Sequence, residues 1–350
     1  MIRSLQGRVI AALVILVCVV AVLQNKSGER SFLPSLPLPQ RSSNRKYPTL
    51  RERFALSEKS WLKSVELRKQ MAVAHPDNPQ IPLFPAQSLD EFGKYPYTLW
   101  DFFPPTWTCP HDIQRVGRLG DGGKWVCGMS IYESIPAPSA APSRWGLSSP
   151  AQQGVVMYSF GINYESSFEA EMLERVPSLQ IWGYDFSVDG WGPQIAEAHR
   201  PRTFFKKVGL GQVDQPTRNP PFYTLQALMA QNNHTYIDIL KIDIEGNEYT
   251  AFDTVMNHFA REWRHKGAEG DAVLPIGQVM IEIHVGADQP SVSFQRFRKW
   301  WERLEGMGMR PTWMEVNLMA VTLAKGKSDP RCTEYVWVNA RDERSVLWRG

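Results

Sequence analysis

The chain has 350 residues, of which 43% are hydrophobic and 21% charged, a composition typical of a folded protein with a sizeable core rather than of a disordered chain. Its net charge of +3 is unevenly spread, because residues 1–70 hold 13 of the 39 Lys and Arg but 4 of the 36 Asp and Glu. The remainder is therefore mildly acidic, which argues against a surface that binds nucleic acid.

The N-terminal region contains a run of 15 apolar residues, Val9–Leu23, that follows Arg3 and Arg8. With its flanking residues this run approaches the ~20 residues that span a membrane, and the two arginines are expected to keep the N-terminus in the cytosol. We expect an uncleaved signal-anchor over residues 1–24, with a cleaved signal peptide as the alternative. The chain is then a single-pass type II membrane protein of the Golgi or endoplasmic reticulum with a lumenal domain, or a secreted protein if the segment is cleaved.

Residues 25–90 are predicted to form a stem. The first part is rich in Pro, Ser and basic residues without a helical or strand period, whereas Arg51–Ala74 regains helical spacing. That helix could pack on the domain or stand alone. Residues 91–153 are expected to be a cysteine-containing lead-in that ends in a Pro- and Ser-rich connector, and the main domain is expected to cover residues 154–345.

Cysteine usage allows one disulfide. Cys18 lies inside the apolar run, so Cys109, Cys127 and Cys332 leave one pair and one further thiol. We expect the pair to be Cys109–Cys127, which suits an oxidising compartment. A zinc site is less favoured, because His111 is nearby but no C-x-x-C spacing occurs, and no metal site is predicted.

Two sequons for N-glycosylation occur, at Asn25 and Asn233. Asn25 lies close to the expected membrane segment, whereas Asn233 precedes a predicted strand. Asn233 is therefore the predicted glycosylation site.

The segment Gly117–Gly128 (GRLGDGGKWVCG) is rich in glycine. It superficially suggests a phosphate-binding loop, but the pattern G-x-x-x-x-G-K-[ST] is absent because Trp125 follows Lys124. The favoured interpretation is a tight hairpin turn, with Asp-Gly-Gly in left-handed conformations and Trp125–Cys127 as the return strand.

The stretch Val155–Asp185 predicts a β-α-β unit. An apolar strand ends at Gly161, a helix follows, and a second strand over Leu179–Tyr184 ends at Asp185. A carboxylate about 20 residues after such a loop can accept both hydroxyls of an adenosine ribose. The loop has one glycine where a dinucleotide site has three, and S-adenosylmethionine, which has no phosphate, suits this looser loop. The alternative is an ordinary crossover with a surface Asp.

The second half of the chain continues the alternation of strands and helices. Strands are predicted over Arg202–Val208, Tyr236–Ile244, Gly277–Ile283 and a closing pair, Met309–Val316 and Glu334–Val338. Helices are predicted over Thr224–Gln231, Tyr249–Ala260 and Phe294–Leu304. This order predicts an α/β fold with a doubly wound, mostly parallel sheet and an antiparallel edge, preceded by a membrane anchor and stem.

Several polar groups fall at the C-terminal ends of the predicted parallel strands, where open α/β sheets bind ligands. They are Asp185, Asp243, Glu245, Glu282 and His284. Each alone has an ordinary explanation, such as a helix cap or a solvated strand end. Their joint placement favours a functional site.

The segments YSFGINYESSFEAEM, GYDFS, LKIDIEGNEYTAF and QVMIEIH resemble the methyltransferase-domain family that includes FkbM-type enzymes and lumenal methyltransferase-like proteins. The string K-x-D-I-E-G-x-E is the most specific of these pieces, and the likeness covers about residues 105–340, which leaves out the anchor and stem. The resemblance implies a class I S-adenosylmethionine-dependent fold and methyl transfer, usually to oxygen.

The resemblance also implies which residues surround the cofactor. The loop against its methionine part would consist of Ser159, Phe160, Gly161 and Asn163. Asp185, with Phe186 beside it, would hold the ribose hydroxyls. Asp243 and Glu245 would face the methionine end and the substrate.

Methyl transfer to a hydroxyl needs the acceptor held in line and a base for its proton. His284, as a neutral imidazole, is the expected base, and Glu245 is the alternative. Glu282 and Trp191 are expected to line the acceptor site. The acceptor itself, a small molecule, a glycan or a protein, stays open.

Two other function classes stay open at this point. The pair Asp243 and Glu245 could hold Mn²⁺ and a nucleotide sugar in a lumenal glycosyltransferase, because hard oxygen ligands suit that ion. A fold without catalytic activity could instead serve as a lumenal binding protein.

Overall fold

The computed structural model describes residues 47–74, 97–137, 154–285, 292–318 and 331–349. The predicted signal-anchor, much of the stem and the Pro- and Ser-rich connector lie outside these residues, so the membrane anchor stays a prediction. Within the described part, no helix is both long and apolar enough to cross a membrane. The described residues from Pro48 onward belong to one compact unit.

The regular elements follow one another closely. The helices are α1 (Leu50–Ala74), α2 (Tyr97–Phe102), α3 (Met129–Glu133), α4 (Ser167–Arg175), α5 (Leu225–Gln231), α6 (Glu248–His265) and α7 (Phe294–Gly306). The strands are β1 (Ile113–Val116), β2 (Lys124–Cys127), β3 (Val155–Phe160), β4 (Leu179–Tyr184), β5 (Thr203–Lys206), β6 (Gly209–Leu210), β7 (Phe222–Tyr223), β8 (Ile237–Ile242), β9 (Ile276–His284), β10 (Met309–Val316) and β11 (Cys332–Asn339).

Seven strands form the central sheet in the order β10-β11-β9-β8-β3-β4-β5. Strands β9, β8, β3, β4 and β5 are parallel, whereas β11 is antiparallel to both of its neighbours. The order reverses between β3 and β8, because the chain moves outward through β4 and β5 and then returns to the other side of β3. This confirms the predicted doubly wound, mostly parallel sheet with an antiparallel edge, and a reversal point of this kind is where such sheets bind ligands.

The central strands are apolar throughout because both faces of the sheet are covered. Every residue of β3 and of β9 is buried, as expected for strands inside a parallel sheet. Alternate residues of β3 face two separate clusters: Tyr158 packs with residues of α6 and α7, and Met157 packs with residues of α4 and β2. The second cluster places the β1–β2 hairpin on the same side of the sheet as α4.

Strand β5 is shorter than predicted. A 3₁₀ turn over Glu197–Arg202 occupies the start of the expected Arg202–Val208 strand, and β5 begins at Thr203. The short parallel pair β6–β7 was not predicted, because strands of two residues leave no detectable period in a sequence.

Helix α1 packs on the domain, which decides between the two possibilities left open for the predicted stem. Ser57 Oγ donates to the carbonyl of Thr108 at 2.9 Å, and Trp61 Nε1 donates to Glu305 Oε1 at 2.9 Å. Arg68 forms a buried ion pair with the same Glu305 on α7, at 2.5 Å. The stem therefore includes a helix that is part of the folded unit.

The glycine-rich segment forms the predicted hairpin, with β1 and β2 paired antiparallel. Cys109 and Cys127 are disulfide-bonded as predicted, with their Cα atoms 5.9 Å apart. The detail of the turn differs from the prediction: Gly120 and Gly122 have positive φ, at 81° and 105°, while Asp121 does not. The return strand begins at Lys124, one residue earlier than expected, and the side chain of Lys124 is buried.

The hairpin is fixed to the central sheet through the amide of Gln278 on β9. The Cys127 amide donates to Gln278 Oε1, and Gln278 Nε2 donates to the Cys127 carbonyl, both at 3.2 Å. Tyr132 of α3 accepts a third bond from Gln278 at 2.8 Å. These contacts place β2 over β9 and its neighbours.

Candidate active site

The loop after β3 lies at the point where the strand order reverses. Gly161 has φ of 80°, a conformation that L side chains rarely adopt. A Cβ at this position would lie 1.8 Å from the carbonyl oxygen of Asp243, at the end of β8. Lys241 Nζ donates to the Gly161 carbonyl. The loop is therefore pressed against the end of β8, and only glycine allows that approach.

Asp185 lies at the end of β4, where it was predicted, and its carboxylate holds this loop. Oδ2 accepts from the amides of Ile162 and Asn163 at 2.7 and 3.0 Å. Oδ1 accepts from the amide and the hydroxyl of Ser187 at 2.7 and 2.6 Å. Burial alone would raise the pKa of Asp185, but these four hydrogen bonds lower it. A carboxylate offers about four acceptor positions, so Asp185 uses them on its own chain and fixes the loop's shape.

Two predicted cofactor residues have side chains that lie in the core. Ser159 Oγ donates to the buried Glu169 on α4 at 2.5 Å. The ring of Phe160 stacks on Tyr184 with centroids 4.9 Å apart. Both residues are fully buried, because they still belong to β3, whose two faces are covered. They can support the loop, but their side chains do not face solvent.

Asn163 and Phe186 are the predicted cofactor residues whose side chains are exposed. Phe186 is 48% exposed, and its ring lies 5.3 Å from that of Phe222. Trp191, expected to line the acceptor site, lies against the backbone of Gly183 within β4, where a Cβ would contact the indole. Its Nε1 is buried. The indole therefore packs on the face of the sheet against β4, and its place in the acceptor site stays a prediction.

Four acidic residues form a row across four adjacent strands, with Asp243 after β8, Glu282 on β9, Glu334 on β11 and Glu315 on β10. The sheet register pairs Glu282 with Glu334 and Glu334 with Glu315. Asp243 directly follows Ile242, whose partner precedes Glu282. Like charges directly opposite one another destabilise a sheet, so this row requires a compensating charge.

The β1–β2 hairpin supplies that compensation. Lys124 is 2% exposed, and its ammonium contacts Asp243 at 3.3 Å and also pairs with Glu334. Trp125 Nε1 donates to Glu315 at 2.9 Å. The glycine-rich hairpin therefore covers the row of acidic residues and donates hydrogen bonds to it through Lys124 and Trp125.

The row strongly perturbs the acid–base properties of its members. Burial, Asp243 and Glu334 raise the pKa of Glu282 to about 8. Burial and Asp243 also raise the pKa of Glu334, and their effect exceeds the opposite effect of Lys124 and Lys241. Burial alone would lower the pKa of Lys124, but Glu334 and Asp243 raise it. Burial would raise the pKa of Asp243, but the positive charges of Lys124, Lys241 and His284 together outweigh burial and lower that pKa.

His284 at the end of β9 lies between two carboxylates. Nδ1 is 3.0 Å from Glu248 Oε1, and Nε2 is 3.5 Å from Glu245 Oε2. Burial alone would lower the pKa of the ring, but hydrogen bonds with Cys332 and Glu248 raise it to about 12. The ring thus holds both protons at neutral pH. This differs from the neutral imidazole expected of a general base, because sequence spacing did not place Glu248 and Cys332 beside it.

Glu245 is the acid of this edge that faces solvent, with its side chain 85% exposed. Its backbone has a φ of 55°, which turns the chain sharply between β8 and α6. Glu282 differs from it, since it is buried and accepts from Asn317 Nδ2 at 3.0 Å. The residues predicted at the strand ends therefore meet at one edge, as expected, but at different depths.

Five members of the site were missed by the sequence analysis: Lys124, Glu248, Glu315, Cys332 and Glu334. Lys124 was noted only as part of a turn. Glu334 and Cys332 fall on β11, whose sequence CTEYVWVN is otherwise largely apolar and buried. A charged residue inside such a strand was the available signal, because an unpaired charge is rarely buried.

The sequence profile of a family described as "Methyltransferase domain" matches residues 61–317. A search of curated proteins found no match. Among solved structures, a fibrillarin pre-rRNA processing protein from Methanococcus jannaschii is 12% identical, with 66% of this chain and 100% of that chain covered and a TM-score of 0.32. The O-methyltransferase TomG from Streptomyces achromogenes, solved with SAM, is 12% identical, with 53% and 74% covered and a TM-score of 0.27.

The profile match extends over more than half of the chain and includes α7, β3 to β9 and most of α1. It also agrees with the order of the central sheet, which is that of a Rossmann-like methyltransferase fold. The chain belongs to the methyltransferase-domain family.

Proposed function

We propose that the protein is an S-adenosylmethionine-dependent methyltransferase that acts on a hydroxyl oxygen of its acceptor. Methyl transfer is the activity of its family, whose members typically use this cofactor. The observation that carries the proposal is the shared location of the Gly161 loop and the acidic row, which meet at Asp243 where the strand order reverses. This arrangement brings a loop suited to the cofactor and groups that can accept a proton to the same edge of the sheet, at the C-terminal ends of the parallel strands.

The residues of this edge fit the proposed cofactor. S-adenosylmethionine has no phosphate, so it does not need the several exposed amides that a pyrophosphate site provides. Gly161 lets the loop lie against β8, and Asp185 holds the amides of the next two residues in place. Two residues near that carboxylate have exposed side chains: Asn163, whose amide bonds to it, and Phe186, which directly follows Asp185 in the sequence. When bound, the cofactor supplies an electrophilic methyl group.

Glu245 is the group best placed to accept the acceptor's proton. It is exposed at the edge of the site, next to Asp243, and its carboxylate reaches His284 Nε2 at 3.5 Å. A base must come within hydrogen-bond distance of the hydroxyl that it activates. The exposed Glu245 is accessible to an acceptor, whereas Glu282 is buried. We therefore assign the base to Glu245, the alternative in the sequence analysis, and give His284 the role of orienting it. This assignment also fits methyl transfer better than a Mn²⁺-dependent glycosyltransferase, since Asp243 is paired with Lys124.

Calorimetric titration of the full-length chain with S-adenosylmethionine tests the proposal. We expect the wild type to bind and Asp185→Asn to bind roughly 10- to 100-fold more weakly, because the amide cannot replace the charged hydrogen bonds, each about 1.5–3 kcal/mol, that hold the Gly161 loop in shape. Ser187→Ala serves as the matched control: it removes one donor and leaves the carboxylate and its amide partners, so its affinity should fall less. A folded wild type that does not bind would favour the non-catalytic binding protein.

We further propose that the domain works in the lumen of the secretory pathway, held to the membrane by its N-terminal segment. The Cys109–Cys127 disulfide supports an oxidising compartment, and Asn233, the predicted glycosylation site, is exposed between α5 and β8. In sealed microsomes from expressing cells, the domain should resist added protease until detergent is added. Digestion without detergent would contradict the lumenal location.

A further inference from the structure

We propose that Glu282, His284 and Cys332 form a zinc site at the edge of the sheet. His284 and Cys332 are directly opposite each other in the antiparallel pair of β9 and β11. Glu282 precedes His284 by two residues and so points to the same face of β9. All three side chains are buried, and one ligand atom from each lies within 4.8 Å of the others.

The ligand types and their spacing fit Zn²⁺. A thiolate, an imidazole and a carboxylate together are the donor set of zinc, whereas magnesium and calcium take oxygen ligands. Bonds of about 2.0–2.3 Å to a tetrahedral zinc place ligand atoms about 3.3–3.8 Å apart. Small movements of the three side chains therefore bring the ligand atoms to the distances that zinc requires, while the pairing of β9 with β11 stays unchanged.

Residues around the trio already hold two of the ligands in position. Nδ1 of His284 faces Glu248 Oε1 at 3.0 Å, and Glu248 is fully buried with its Oε2 atom unpaired among the described residues. A zinc-binding histidine almost always donates its other ring N–H to a carboxylate, a backbone carbonyl or a water molecule, and Glu248 fills this role here. Glu282 is held in turn by Asn317 Nδ2 at 3.0 Å. This arrangement leaves Nε2 as the coordinating atom, with zinc replacing its proton.

A second group of acids nearby does not offer the same opportunity. Asp243, Glu282 and Glu334 also bring their oxygens within 4.8 Å of one another. The ammonium of Lys124 pairs with two of these residues and thus occupies the place of a cation. The chain therefore provides its own positive charge to this second group, and the proposed zinc site is the group that contains His284 and Cys332.

The trio leaves a fourth coordination position on zinc, the arrangement of catalytic rather than structural zinc sites. The exposed carboxylate of Glu245 lies 3.5 Å from His284 Nε2 and so adjoins that position; with zinc in place of the Nε2 proton, the ion takes over from His284 in orienting this carboxylate. If the proposed function holds, an acceptor hydroxyl bound there would be polarised by zinc as a Lewis acid, with Glu245 beside it to take the proton. This role rests on the proposed function, whereas the zinc site itself does not.

Metal analysis of the untagged full-length protein tests the site. After chelator treatment and equilibration with zinc, we expect the wild type to hold one zinc per chain. Glu248→Gln should bind zinc about 10- to 100-fold more weakly, and Cys332→Ser should lose more. Glu315→Gln, in the same acidic row but outside the trio, should bind as the wild type does. Folded wild type without stoichiometric zinc, or equal affinity in Cys332→Ser, would overturn the proposal.

Cobalt substitution gives a measurement on the wild type that does not depend on any variant folding. Cobalt bound at this site should show a thiolate-to-cobalt charge-transfer band, and its absence in cobalt-loaded protein would overturn the proposal. Titration of the metal-free protein with S-adenosylmethionine separates the two proposals. We expect the cofactor to bind with or without zinc, since none of the trio belongs to the Gly161 loop.

Discussion

Replacement of Lys124 by Met is expected to lower the free energy of unfolding by about 3–5 kcal/mol, the usual effect of removing one partner from a buried ion pair. Lys124→Met keeps the length of the side chain but leaves Asp243 and Glu334 without the ammonium that contacts both. Glu282, already with a raised pKa, then faces two carboxylates that have lost this ammonium. Urea unfolding followed by fluorescence measures the effect.

A double-mutant cycle shows whether this loss comes from the acidic row. Glu334→Gln alone removes one of the charges that Lys124 pairs with, so Lys124→Met should be less damaging in that background than in the wild type. Lys266→Met, at the exposed end of α6, is the matched control and should change stability by no more than about 0.5 kcal/mol. If Lys124→Met behaved like Lys266→Met, the hairpin would not neutralise the row.

Gly161→Ala is expected to abolish cofactor binding and to destabilise the fold. The left-handed conformation costs an L residue roughly 1–2 kcal/mol, and the new methyl group would lie 1.8 Å from the Asp243 carbonyl oxygen. The clash is with backbone, which cannot rotate away as a flexible side chain can, and overpacking of this kind costs about 1–3 kcal/mol more. The loop must therefore move away from β8 and disturb the contacts made by Asp185.

Thermal unfolding and titration with S-adenosylmethionine together measure this effect. Gly190→Ala is the control, because it also lies near the predicted cofactor site but a Cβ there meets nothing within 4 Å. We expect Gly190→Ala to bind the cofactor like the wild type. Wild-type affinity in Gly161→Ala would mean that the close approach of this loop to β8 has no part in binding.

The sheet could be predicted largely from local patterns. Strands β3, β8 and β9 are buried on both faces, so each is a continuous apolar run that is visible in the sequence. Parallel strands share one C-terminal edge, which is why Asp185 and Asp243 could be placed together before the structure was known. The pairing of Cys109 with Cys127 was likewise predicted.

The parts that were not predicted depend on contacts between distant segments. The GDGGKW pattern predicts a turn, but nothing local places Lys124 on carboxylates of β8 and β11. The position of His284 was predicted and its protonation was not, because the pKa depends on Glu248 and Cys332, which lie on other elements. Ser159 and Phe160 were assigned to the cofactor by their place in a motif, whereas their side chains belong to the two covered faces of β3.

Hydrogen exchange of the full-length protein with and without S-adenosylmethionine tests the central claim, that the cofactor binds at the edge formed by the Gly161 loop and Asp185. We expect the ligand to slow exchange in residues 161–164, which form the loop, and in residues 185–189, which contain Asp185 and the Ser187 amide bonded to it. Exchange in helix α1, on a different part of the domain, should stay unchanged. Protection confined to other segments, or none at saturating ligand, would contradict the claim.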